Sequence, residues 1–126
     1  MTKKIVIADD DPSVVLFLEK TLTKAGYRVF TAVDGLGALI LIKQEKPDLI
    51  ILDVMMPEVN GYDVCFEIKF DERFKHIPII LLTIRDRELD SKIGVKAGIE
   101  HIKKPASGEV LLETVRNLLA GGAKPK

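Results

Sequence analysis

The chain has 126 residues, 47% of them hydrophobic and 30% charged, and its 19 basic and 19 acidic side chains give a formal net charge of +0. That is one domain's length with enough apolar content for a real core, and the balance of charge gives no footing to nucleic acid or an anionic membrane as a partner. A single cysteine, Cys65, excludes an internal disulfide, and no apolar run is long enough for a signal peptide or a membrane span, so a cytoplasmic protein is expected.

Taken in order, Ile5-Val6-Ile7-Ala8 reads as a short buried strand closed by Asp9-Asp10-Asp11. Asp11 as N-cap and Pro12 in the first turn open a helix that runs to about residue 25, where Gly26 stops it. Val14, Phe17, Leu18, Thr21, Leu22 and Ala25 fall on one face of it, and Leu16 points away from that stripe. A second strand covers 27–32, and Asp34-Gly35 opens a second helix to about residue 45. There Ala38, Leu39, Leu41 and Ile42 suit the sheet side, while Leu36 and Ile40 share the opposite side. A paired apolar stripe on an outer face marks a candidate surface for a partner or a second copy, with Leu16 a further candidate.

The run Leu49-Ile50-Ile51-Leu52 ends at Asp53, with Pro57 soon after. An unbroken aliphatic run of this kind is a strand buried on both faces, as inside a parallel sheet. Asn60-Gly61 reads as a turn, 62–70 as a third helix, 77–83 as a fourth strand and 87–97 as a fourth helix stopped by Gly98. A fifth strand covers 99–103, and Ser107 caps a last helix to about residue 120. The charge run from Asp71 to His76 reads as a solvated loop. The expected organisation is one domain over 1–120 with a flexible tail over 121–126. Five strands alternating with five helices make an α/β fold, a doubly wound parallel sheet with helices on both faces.

Four strands end in, or just before, a residue able to do chemistry: Asp9/Asp10, Asp53, Thr83 and Lys104. All lie at the carboxyl edge, where open α/β sheets bind ligands. Clustered carboxylates repel one another unless a cation neutralises them, and hard oxygen ligands select Mg²⁺, or Mn²⁺. No Cys/His group suits zinc; His76 and His101 lack carboxylates at ligand spacing. A divalent cation, a hydroxyl and a lysine around one aspartate is what phosphoryl transfer to a carboxylate needs. Gly35-Leu36-Gly37 lacks the third glycine of a dinucleotide loop, Ile40 standing in its place.

The residues Asp9-Asp10, Asp53-Val54-Met55-Met56-Pro57 with Gly61, Thr83 and Lys104-Pro105 resemble those of the receiver domains of two-component response regulators, over nearly the whole chain. The resemblance implies a flavodoxin-like sheet of order 2-1-3-4-5. It implies that Asp53 takes a phosphoryl group from a phosphohistidine on a sensor histidine kinase or a phosphotransfer protein. Asp10, Asp53 and the backbone carbonyl of Met55 would hold Mg²⁺, Asp9 would assist through water, and Thr83 and Lys104 would bind the phosphoryl oxygens. A non-enzymatic switch is implied, acting on a downstream protein or on an effector domain missing from this chain.

Two departures accompany the match. The residue after the switch threonine is usually small in the family, and here it is Ile84, which is expected to narrow access to the phosphoryl group and slow its gain and loss. His101 stands where the family usually has an aromatic switch residue, in a segment one residue shorter than usual, so a remodelled output face is expected. These features motivate the alternative of a receiver-like interaction module that does not turn over phosphate. An aspartate phosphohydrolase would want a second acid two residues after the nucleophile, where this chain has Met55.

Overall fold

The computed structural model describes residues 2–83, 99–104 and 107–120. Strands β1 (Lys4–Ala8), β2 (Arg28–Ala32), β3 (Leu49–Asp53), β4 (Ile79–Thr83) and β5 (Ile99–Lys103) form one parallel sheet in the order β2-β1-β3-β4-β5. The described helices are α1 (Pro12–Lys24), α2 (Gly35–Glu45), α3 (Gly61–Lys69) and the last helix, here α4 (Gly108–Leu119). The fold class and strand order are those expected.

Side chains alternate across a strand, so the aliphatic runs divide between two cores. Ile5, Ile7, Leu49, Ile51, Ile80 and Leu82 pack beneath α1 and α4, with Leu18, Leu22, Leu111 and Val115 above them. Val6, Ala8, Ile50, Leu52, Ile79 and Leu81 pack beneath α2 and α3, against Ala38, Ile42, Val64 and Ile68. All five residues of β3 are buried, which is why that stretch carries no polar residue before its end. The register aligns the strand ends: Ala8 lies beside Leu52, Asp53 beside Leu82, and Thr83 beside Lys103. Because the strands are parallel and in this register, Asp9, Asp53, Thr83 and Lys104 come to lie along one edge of the sheet.

Local chemistry accounts for the helix starts. The side chain of Asp11 accepts from the Ser13 N–H, that of Asp34 from the Gly37 N–H, and that of Ser107 from the Val110 N–H. Asn60-Gly61 is part of a helix start rather than a separate turn. Asn60 Oδ1 accepts from the Asp63 N–H at 3.0 Å, and Asp63 Oδ2 accepts from the Asn60 N–H at 3.0 Å. This reciprocal capping box begins α3 at Gly61, one residue earlier than expected. Asn60→Ala is expected to cost about 1 kcal/mol, read as a lower urea midpoint with an unchanged m-value.

Other expectations shift in detail. Phe17 and Ala25 are exposed, because the buried stripe of α1 centres on Leu18 and Leu22, with Val14 and Val15 half-buried beside them. β2 begins at Arg28 and β4 at Ile79. Pro78 precedes β4, lending only its carbonyl, which accepts from the Ile50 N–H at 3.1 Å. The charge run is a turn in which Arg73 pairs with Asp71 at 2.8 Å, yet its Phe74 is buried in the core. The helix expected at 87–97, Ile84, Pro105 and the tail lie outside the described residues. No helix among the described residues is long and apolar enough to cross a membrane.

Candidate functional site

The carboxyl edge of β1, β3, β4 and β5 gathers three carboxylates, a hydroxyl and an ammonium. Asp9 directly follows β1 and is 0% exposed; Asp53 ends β3 at 4%. Asp10 is exposed at the mouth, and Thr83 is buried at the end of β4. Carboxylate oxygens of Asp9, Asp10 and Asp53 lie within 4.8 Å of one another. Lys104 reaches in from the end of β5, its Nζ 2.9 Å from Asp9 Oδ2 and 3.2 Å from Asp53 Oδ1. The backbone holds the lysine there, since the Lys104 N–H donates to the Thr83 carbonyl at 2.8 Å.

The charges of this cluster shape one another. Burial, then the neighbouring Asp9 charge, push the Asp53 carboxyl above its ordinary value, and Lys104 opposes both. Burial alone would pull the Lys104 ammonium down, but its contact with Asp9 and the charges of Asp53 and Asp9 outweigh it, and the net shift is upward. One cation thus serves two enclosed carboxylates. Asp9 Oδ1 accepts from the Asp11 N–H at 2.9 Å. Among the described residues, Asp9 Oδ2 has no hydrogen bond beyond its ion pair with Lys104. Three converging carboxylates that share one ammonium are an all-oxygen donor set of the kind a small hard cation neutralises, so the acidic cluster could hold a metal ion.

The loop after Asp53 is held from two sides by glycine contacts. A methyl group on Gly61 would run into the carbonyl oxygen of Asp53, and one on Gly35 into the carbonyl oxygen of Val59. The Gly61 N–H also donates to the Val54 carbonyl at 3.2 Å. Between these anchors Glu58 adopts a left-handed conformation at φ 65°. The Met55 N–H donates to Asp53 Oδ1 at 3.3 Å. The Met55 side chain is exposed, whereas that of Met56 is buried. Sequence reasoning named Gly61 as a motif residue but missed its contact with the Asp53 backbone.

The remaining candidates fall elsewhere. His101 lies in β5 with its backbone opposite Leu81. Leu16, Leu36 and Ile40 are 52%, 61% and 54% exposed, as expected of outward residues. They do not form one surface: Leu16 is on the α1 layer, and Leu36 and Ile40 are on the α2 layer across the sheet.

Comparison with known proteins agrees with this architecture. Residues 5–116 match the family model described as the response regulator receiver domain. The chain is 38% identical over 121 residues to the transcriptional regulatory protein AfsQ1 of Streptomyces coelicolor, covering 95% of this chain and 52% of that protein. It is 39% identical over 120 residues to the alkaline phosphatase synthesis transcriptional regulatory protein PhoP of Bacillus subtilis, covering 94% of this chain and 49% of that protein. The chain therefore spans about half the length of these relatives. Among solved structures, the chemotaxis response regulator CheY4 of Vibrio cholerae superposes with a TM-score of 0.84 at 32% identity, covering 92% of this chain and 98% of that one. A signal receiver domain of a histidine kinase from Syntrophus aciditrophicus gives 0.86 at 33%, covering 99% and 96%.

Proposed function

The chain belongs to the response regulator receiver family, and from that membership we propose that Asp53 is the phosphoacceptor of a two-component phosphorelay. The observation that carries the proposal is the convergence of Asp9, Asp10 and Asp53 with Thr83 and Lys104 on one sheet edge. A carboxylate oxygen of Asp53 attacks the phosphorus of a phosphohistidine on a sensor histidine kinase or phosphotransfer protein. The O–P bond forms as the P–N bond breaks, and the imidazole nitrogen keeps the electron pair. The carboxylate attacks in line, so charge on the three equatorial oxygens must be met from fixed directions. The Lys104 ammonium meets it from one side and the Thr83 hydroxyl donates from another.

Mg²⁺, or Mn²⁺, would be held by Asp10, Asp53 and the Met55 carbonyl, with Asp9 acting through water. When bound, it offsets the charge of the carboxylates and of the incoming phosphoryl group. The acyl phosphate adds nearly two negative charges at a buried site, and Thr83 and Lys104 move toward it. The protein then acts as a switch on a downstream protein or effector domain, in the cytoplasm, and turns over no external substrate.

Incubation with Mg²⁺ and a small acyl-phosphate donor is expected to add one phosphoryl mass to the parent and none to Asp53→Ala. Failure of the parent to take phosphate from the donor and from a phosphorylated histidine kinase would reject the reading.

A further inference from the structure

The exposed apolar faces on the two layers carry opposite charge. On α2, Leu36 and Ile40 stand one turn apart, and a cleft of about 290 Å³ at the Leu36 end is lined by Asp34, Leu36, Pro57, Glu58 and Val59. That groove is aliphatic with a carboxylate end. On α1, Leu16 is followed at successive i+4 positions by Lys20 and Lys24, both exposed, and the three share one shallow outer surface with Glu19 and Thr23. That ridge is aliphatic with an ammonium end.

We propose that a second copy of this chain occupies the α2 groove: α1 of one molecule docks on α2 of the next, Leu16 against Leu36 and Ile40, Lys20 and Lys24 toward Asp34 and Glu58. At 1.5 Å per residue, Leu16 to Lys24 spans about 12 Å and Ile40 to Asp34 about 9 Å. With the helices antiparallel, the apolar contact and the ion pairs therefore form together. The lysine stems add cover over the aliphatic groove while their ammonium groups stay at the rim. The formal net charge of +0 leaves little repulsion between copies.

α1 and α2 lie on opposite sides of the sheet, and Leu16 on one and Leu36 and Ile40 on the other are exposed away from it, so stacking the α1 layer of one molecule on the α2 layer of the next leaves one face free at each end. The interface is heterologous and adds copies head to tail. A single helix pair is smaller than a standard stable interface, so association is weak, with a Kd on the order of tens to hundreds of micromolar, and it weakens with salt.

The test uses two variants of the full chain, each altered only at exposed positions: Leu16→Glu removes the ridge, and Leu36→Glu/Ile40→Glu removes the groove. Circular dichroism checks that both fold, and Lys20→Glu/Lys24→Glu replaces the ridge variant if Leu16→Glu does not. By sedimentation equilibrium the parent is expected to gain mass steadily with concentration. Each variant alone stays a monomer, and an equimolar mixture reaches twice the monomer mass, because one retains the ridge and the other the groove. A parent that stays monomeric to about 1 mM, a mixture that stays monomeric, or self-association of either variant alone would overturn the proposal; the last would point to a symmetric contact or to a different partner surface.

Discussion

Replacing Lys104 with methionine is expected to lower stability by about 2–3 kcal/mol in metal-free buffer at neutral pH, because it leaves two enclosed carboxylates without their shared cation. Asp9 is fully buried and Asp53 nearly so, and Lys104 Nζ lies within 3.2 Å of both. Methionine keeps the apolar stem and removes only the charge. The loss should depend on pH in a definite direction. The Asp53 carboxyl is already raised above its ordinary value of 3.8, so the native state binds more protons than the unfolded chain in the window above that value. The stability this confers is fully present below pH 3.8 and is lost as pH rises through the raised value. Without Lys104 that value rises further, and the window widens upward. Urea midpoints should therefore separate parent and Lys104→Met most at pH 7 and least near pH 4. Millimolar Mg²⁺ should stabilise the variant more than the parent. Equal midpoints at pH 7 would show that Lys104 is not the charge that holds the two aspartates together.

Gly61→Ala is expected to cost about 2–3 kcal/mol, and also to weaken Mg²⁺ binding at least tenfold. The glycine is not needed for an unusual backbone angle. It is needed for space, since a methyl group there would meet the backbone carbonyl of Asp53. Backbone cannot rotate away as a flexible side chain can, so relief must come from moving α3 or the end of β3. Either movement displaces the Asp53 carboxylate relative to Asp9 and Asp10. Calorimetric titration with Mg²⁺ separates this from general destabilisation, because Asn60→Ala, one residue away, weakens the same helix start without touching Asp53. A Gly61→Ala protein with parental Mg²⁺ affinity would show that the contact is structural only.

The legible part of the molecule is the part written in short-range pattern. The apolar runs at Ile5 and Leu49 and the carboxylates that end them locate strands and site together. Residues such as Asp11, Asp34 and Ser107 announce helix starts because capping is chemistry between near neighbours. Asn60 carried the same signal, but its pairing with Gly61 resembled a turn. What escaped depends on contacts through space. Phe74 sits in a charged stretch and is buried only because the α3–β4 turn folds over the core beside Ile77. Lys69 carried no signal in the sequence, yet its Nζ donates to the carbonyls of Lys75 and Ile77 at 3.0 and 2.7 Å, and burial depresses its pKa. Leu16, Leu36 and Ile40 were all correctly seen as outward, but only the sheet topology reveals that they face opposite directions.

The division of every central strand between two cores has a further consequence, for how this molecule can change over time. Ile50 and Ile51 are adjacent in the chain but share no packing environment, one lying under α2 and α3 and the other under α1 and α4. Compensating substitutions must therefore be sought across the layer and not along the strand: a smaller residue at Ile51 is answered from α1 or α4, one at Ile50 from α2 or α3. The two sides of the sheet can drift as separate lineages of packing while the edge they share, with its carboxylates, stays in register. Chimaeras that take the α1 and α4 packing positions from one relative and the α2 and α3 positions from another should accordingly fold, where chimaeras mixed within one layer would not.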